Sequence, residues 1–458
     1  MAHLRNQRPQ KHHLKQTSLS SNTQAILNLV ACIGAEFDLA TLVSATQLSI
    51  EATVAHLSPA IQAGLILPLL SHDQKFDQKF DQKFDQKTVE ATQVNAVYAT
   101  YRFLCDRVQQ AAYGLIDSDQ QISAHLGIGQ RLLKNNPGLL QAIQQASRAF
   151  DSQTLNQPLE SSGLDLSGLD LSGLDQQLSD IVNHLNQGIS LIREASETSE
   201  TSELAALRPA LVQLNRLASR KAKSAAAHTA ALEYLIQAIA LMPVNGWQSQ
   251  YALMLHLHNE AAEVAYLKGD LVVMQRTINT VLQQSNDLLD KIDVYEIQIQ
   301  ATIGQHHFLQ AVDITLNALA QLGVEIPARP DRIAVQQALQ NTAERLSQQP
   351  IADLIHLPEM NDRRSLAIIR LLTKAVSAAY IARPDVLPLL VCAGLDRCLT
   401  DGNSPLSSFL YGWYGVILCG LSNGSNGSNG SDEIGQAHLI GELALNLLEK
   451  IPAKDIQI

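Results

Sequence analysis

Apolar side chains recur at helical spacing along almost the whole chain and at strand spacing in only two short places. Near the start, Ile26, Leu27, Val30 and Ile33 share one helical face. Ser20 or Ser21 can cap that helix and Gly34 stops it. Asp38 can cap a second helix carrying Leu39, Leu42 and Val43, and Ser49 can open a third, with Glu51 in its first turn. The third helix runs toward Gly64, and Pro59 is expected to kink or split it. Residues 65–70, Leu-Ile-Leu-Pro-Leu-Leu, then read as a strand whose partner is 98–104. Three helices and a two-stranded wing over 18–104 predict a small winged-helix domain.

Beyond Tyr113 the pattern is helical almost without interruption. The spacing predicts a helix opening at 220–224 and further ones at 231–242, 247–267, 271–282, 294–303 and 307–322. The turns at Gly269 and Gln305 lie 36 residues apart, close to the period of tetratricopeptide (TPR) arrays. Small residues such as Ala261, Ala262, Ala265, Ala311 and Ala318 let paired helices approach closely. Pro327 and Pro330 end this region, so 105–330 is expected to be TPR-like hairpins. Further hairpins follow over 331–458, with helices at 333–346, 364–381, 387–399, 404–420 and 434–450. The fold class expected is mainly α, a winged helix followed by an α-solenoid. In the last helix Ile440, Leu443, Ala444, Leu447 and Leu448 make a wide apolar stripe, flanked by Leu439 and Leu445. Too little chain follows to cover it with another helix, so an uncapped edge and self-association through this helix are expected.

Four short arrays interrupt the pattern: Asp-Gln-Lys-Phe over 73–87, Ser-Gly-Leu-Asp-Leu over 162–175, Ser-Glu-Thr over 196–203 and Ser-Asn-Gly over 422–431. Such insertions are tolerated where backbone is exposed, so they are expected at loop tips. Phe76, Phe80 and Phe84 have helical spacing and offer a second reading, a sticky face for a partner. Three pentapeptides are too few for a β-helix, and the Asn-Gly-Ser triplets read as linker rather than glycosylation sites.

Composition narrows the function. Net charge is -11, and the third helix carries no Lys or Arg, only His56 and Gln62 as base-reading candidates. Nucleic-acid binding is therefore not expected, apart from weak attraction by the basic tail over 1–17, which is expected to be disordered. The five cysteines form no C-x-x-C pair and read as reduced thiols. No secretory signal and no uninterrupted apolar run of membrane-spanning length is seen, so a cytoplasmic chain without a membrane span is expected. No Gly-Lys pair occurs, which removes the phosphate-binding loop, and the kinase His-Arg-Asp and Asp-Phe-Gly motifs are missing. His-Glu-x-x-His does not occur either. No catalytic residue, cofactor or metal site is predicted.

The stretch from Tyr101 to Tyr113 carries a resemblance. An aromatic, Phe103, is followed after one residue by Cys105-Asp106-Arg107, then by a helix with Gln110, Ala111 and Tyr113. This resembles the junction that closes the winged-helix part of signal-transduction ATPases with numerous domains. It is most similar to large bacterial hybrid kinases that join a serine/threonine kinase, an AAA-like ATPase, a helical region, a GAF domain and a histidine kinase. Residues 180–188, Asp-Ile-Val-Asn-His-Leu-Asn-Gln-Gly, resemble another part of that helical region. Cys105 stands where the family pattern has His, and in some of these ATPases that His contacts nucleotide. The resemblance implies a middle segment, without the nucleotide-binding core or the histidine kinase, and with kinase or ATPase modules as partners.

Among polar candidates, His184 is singled out by the resemblance, and packing or capping is its structural alternative. Glu260 and Glu263 share a helix face at i, i+3 and mark a possible interaction surface; a neighbouring helix or solvent would equally account for them. His256 and His258 point to different faces and read as solvated or capping residues, like His306 and His307 at a turn. Two functions fit: a regulatory and interaction segment of a signalling ATPase-kinase, or a stand-alone TPR-like adaptor binding a peptide in its groove.

Overall fold

The computed structural model describes residues 19–69, 100–141, 143, 175–198, 203–422 and 428–451, and these are mainly helical. They divide into two compact units, one ending at Lys221 and one beginning at Ala222.

The first unit opens with α1 (Ser21–Ile33), β1 (Glu36–Asp38), α2 (Leu39–Thr46), α3 (Ile50–Gln62), β2 (Ile66–Leu69) and β3 (Thr100–Phe103). The expected caps form. Ser20 Oγ accepts from Thr23 N at 3.3 Å, Asp38 Oδ1 from Thr41 N at 2.6 Å and Ser49 Oγ from Ala52 N at 3.2 Å. Pro59 does not split α3. It lies inside the helix and costs it one bond, the one a residue-59 N–H would make to the carbonyl of Ala55, while the helix runs on to Gln62. The sheet has three strands rather than two, in the order β1-β3-β2, all antiparallel. The extra strand spans three residues, too few for alternation to announce it. Its register pairs Phe37 with Tyr101, and their rings stack at 5.6 Å. Leu27, Val30, Leu42, Leu57, Ile66 and Phe103 close the core between helices and sheet.

The chain continues as α4 (Asp106–Tyr113), α5 (Ser118–Lys134), α6 (Asp175–Gln187), α7 (Ile189–Thr198) and α8 (Glu203–Ser224). The basic stretch at 220–224 therefore closes a helix; it does not open one.

The second unit holds α9 (His228–Leu241), α10 (Gly246–Ser249), α11 (Tyr251–Lys268), α12 (Leu271–Gln284), α13 (Ile292–Gly304), α14 (Phe308–Gln321), α15 (Arg332–Leu346), α16 (Arg363–Ala382), α17 (Leu387–Asp401), α18 (Ser407–Ser422) and α19 (Ser428–Lys450). Neighbours in sequence pack on each other: α11 on α12, α13 on α14, α16 on α17 and α18 on α19. The single helix expected over 247–267 is broken at Gln250, whose backbone leaves the helical region (φ −139°, ψ 48°). Gly269 supplies the left-handed turn after α11, whereas His306 takes a positive φ of 62° after α13.

At the centre of this core, α16 buries Ile369, Leu371, Leu372, Ala375 and Val376. Among the described residues it is the helix long and apolar enough to cross a membrane, and 56% of its apolar window is buried within the fold. Arg370 and Lys374 interrupt its apolar run. Arg370 is held by an ion-pair network. Its Nη2 donates to Asp293 Oδ1 at 2.8 Å and Glu296 Oε2 at 2.9 Å, while Asn259 donates to Asp293 Oδ2 at 3.1 Å. Three helices are tied at one point. A second fastening joins Pro358–Met360 to Gly402–Asn403. Asn403 N donates to Pro358 O, Met360 N to Asn403 O, and Asn403 Nδ2 to Leu354 O, each at 2.8 Å.

In α19 the stripe expected to lie bare is partly covered. Ile440, Leu443 and Leu447 are buried in the core of this unit, and Leu439, Leu445 and Leu448 are exposed. The tail over 1–17 and the Asp-Gln-Lys-Phe array lie outside the described residues. Ser196–Thr198 end α7 and Ser428–Gly430 begin α19, so the repeats are not confined to loops.

Candidate functional site: a buried histidine pair

The junction read from the sequence forms as strand into helix. Phe103 ends β3 and is buried; Asp106 begins α4. Cys105 occupies the N-cap position with extended backbone, caps nothing with its side chain and is exposed. Asp106, Arg107 and Gln110 are also exposed, and Ala111 and Tyr113 are half-buried. These residues therefore split into a surface edge and an inward edge. Gln109 Nε2 donates to Ala31 O at 3.2 Å and fixes α4 against α1. Gln121 Nε2 reaches back from α5 to the carbonyls of Tyr113 and Ile116, each at 3.0 Å, closing the end of α4.

The inward edge leads to a site that brings two of the sequence candidates together. Helices α5 and α6 meet through reciprocal glycines. A Cβ at Gly129 would stand 2.7 Å from Leu185 Cγ, and one at Gly188 would stand 2.8 Å from Leu126 Cβ. Only glycine permits that approach. One turn before each glycine, His125 and His184 face each other, with Nδ1 to Nδ1 at 2.9 Å. Tyr113 Oη lies 3.2 Å from His125 Nε2, so the chain Tyr113–His125–His184 runs from α4 through α5 to α6. Both imidazoles are buried, at 9% and 7% exposure.

A hydrogen bond between two Nδ1 atoms needs one protonated and one bare nitrogen, so opposite tautomers satisfy it. Adding a proton would place a cation in a buried site, away from water. Burial pushes the pKa of His184 down to about 4, reinforced by His125, and burial lowers that of His125 as well. At neutral pH the pair is an uncharged polar clasp in an apolar contact. Cys32 lies in the same small cluster with Ile116 and Ile128, and burial raises its pKa to about 11, so it is a thiol and not a nucleophile.

His184 is therefore not an interaction surface; it is sealed between helices. Glu260 and Glu263 are half-buried and each has a partner within the chain. Glu260 Oε1 lies 3.0 Å from His256 Nε2, and Glu263 Oε1 lies 2.5 Å from Lys223 Nζ. The solvated reading of the nearby histidines is also corrected. His256 and His258 are buried, and His258 Nδ1 donates to Met254 O at 2.8 Å while its ring packs on Trp247. Among the described residues, no group of three or more His, Cys, Asp or Glu side chains is placed to hold a metal ion.

The sequence reading passed over His125 as a partner for His184. A signal was present: His-Leu-x-x-Gly occurs at 125–129 and again at 184–188. In each copy the Leu packs on the other copy's Gly, so the repeated pentapeptide encodes a reciprocal contact.

No protein-family profile matches the chain, and no solved structure matches it. The chain is similar to the hybrid signal transduction histidine kinase G of Dictyostelium discoideum, at 22% identity over 445 residues. The match covers 89% of this chain and spans 12% of that kinase. This distant similarity associates the chain with signal transduction.

Proposed function

We propose that the chain is a non-catalytic regulatory and interaction segment of a signal-transduction kinase, acting as scaffold or sensor between nucleotide-binding and kinase modules. The observation that carries this reading is the distribution of the match: nearly the whole chain aligns with a small part of a much larger histidine kinase. In this reading the helices and sheet over 19–103 are a winged helix that packs on protein, and the hairpins of the second unit are a TPR-like solenoid. The missing Gly-Lys pair supports a segment that does not bind ATP. Its partners are kinase or ATPase modules of the same, cytoplasmic, signalling system. The histidine pair fits as a positioning device that fixes α4, α5 and α6 relative to one another.

Two measurements test this. Calorimetry with ATP and magnesium on the purified chain is expected to show no binding; micromolar affinity overturns the non-catalytic reading. Deleting the matched segment from the Dictyostelium kinase is expected to leave autophosphorylation measurable but remove its response to stimulus. An unchanged response, with the deleted protein folded, overturns the regulatory reading.

A further inference from the structure

Helix α19 has two apolar seams. One, through Ala437, Ile440 and Leu447, is buried in its own unit. The other runs Ile434, His438, Gly441, Leu445, Leu448, at steps of four, three, four and three. That is the 3.5-residue repeat of helices packed along their length. Among the described residues nothing covers this second seam: Ile434, Leu445 and Leu448 are 57%, 65% and 50% exposed. The seam forms one wall of an open groove of about 790 Å³, whose other wall is α18, with Phe409, Gly412 and Cys419.

The outer positions of the seam are symmetric about its middle and the inner ones are one residue off. Ile434 and Leu448 lie seven residues to either side of Gly441, and His438 and Leu445 lie three and four residues away. Glycine is unfavourable inside a helix, and among the described residues no atom lies within 4 Å of where a Cβ on Gly441 would be, so no contact among them calls for it. A glycine midway between Ile434 and Leu448 is what two identical helices need where they cross closely. Charge agrees with the same partner. His438 and Glu442 are largely exposed and 3.4 Å apart along the helix. In an antiparallel copy crossing at Gly441, each His438 would stand about 3 Å along the axis from the other copy's Glu442 at 1.5 Å rise per residue. Imidazole N–H and carboxylate are then donor and acceptor across the contact.

We infer that α19 pairs antiparallel with α19 of a second copy of this chain, about a twofold axis at Gly441. The contact is isologous, so it closes as a dimer and does not propagate. It does not rest on the signalling reading.

The full chain is tested by sedimentation and by cross-linking. At tens of micromolar a dimer is expected. Leu445→Glu with Leu448→Glu changes exposed positions only, and is expected to weaken the dimer by roughly tenfold or more with the helical circular dichroism unchanged. In a background with Cys105→Ser and Cys419→Ser, Gly441→Cys is expected to give a disulfide-linked dimer on mild oxidation, and Leu439→Cys, off the seam, is not. A monomer at these concentrations overturns the inference and leaves the groove to a helix of another protein. A dimer indifferent to the double substitution, or one that cross-links equally at both positions, overturns it as well.

Discussion

His125 and His184 share one hydrogen across 2.9 Å, and this fixes how the first unit responds to acid. An unfolded histidine titrates near pH 6.5, whereas burial holds folded His184 at about 4. Between these values the unfolded chain takes up a proton that the fold refuses. Stability is therefore complete above pH 6.5 and is lost as the pH falls toward 4. The full effect is on the order of 3 kcal/mol at 1.36 kcal/mol per pKa unit. Urea unfolding at pH 7 and pH 4.5 checks it: His125→Leu with His184→Leu should show a clearly smaller acid loss than the native chain. An equal loss in both would place the acid sensitivity elsewhere. The glycines beside the pair give a second, sharper contrast. Gly129→Ala drives a methyl group into Leu185 and should cost roughly 1–3 kcal/mol. Gly127→Ala, two residues earlier in the same helix, meets only the tip of Arg131 at 3.9 Å and should gain about 0.5–1 kcal/mol from helix propensity. Opposite signs from one substitution type, read as melting temperatures, test the packing geometry directly.

At the scale of elements, the fastening beside α17 depends on one residue. Gly402 adopts φ +101°, and a Cβ there would stand 2.1 Å from Pro358 O, the carbonyl that accepts from Asn403. Gly402→Ala combines backbone strain with a clash against a main-chain atom that cannot rotate away. It should cost more than the 1–3 kcal/mol of a strained backbone alone, and should loosen the 3-10 turn Ile351–His356, seen as faster amide exchange there. Protection unchanged at 351–356 would show that the turn is held by other contacts. Helices such as α1, α12 and α14 were legible in the sequence because periodic apolar residues and Ser, Asp or Gly ends agree. Strand β1 was not, because three residues carry no alternation. The break at Gln250 was not, because nothing in Ser-Gln-Tyr marks a stop. The length of α8 was missed because its start abuts a repeat array. The histidine site was half legible: the Tyr113 junction and the stretch around His184 drew notice, but their meeting at His125 depends on tertiary packing across 59 residues of sequence. The exposure of α19 was misjudged for a related reason, since a wide stripe does not say which half the neighbouring helix takes.

For the molecule as a whole, charge decides which partners are excluded. The chain carries 44 acidic and 33 basic side chains, and the helix α3 that would enter a DNA groove has neither Lys nor Arg. Phosphate contacts supply most of the affinity of non-specific DNA binding, and each depends on a cation placed at the backbone. Of the residues at the junction, Arg102 and Arg107 are exposed, which is too few to offset the acidic body. The first 17 residues carry Arg5, Arg8, Lys11 and Lys15 with no acidic side chain among them. A chain starting at Ser18 should therefore fail to shift duplex DNA at about 150 mM salt, and the full chain should shift it weakly, with an affinity that falls steeply as salt rises. Retention of a salt-resistant shift after removal of the first 17 residues would mean that the helices and sheet over 19–103 read nucleic acid through groups other than cations, and that their reading as a protein-packing module is wrong.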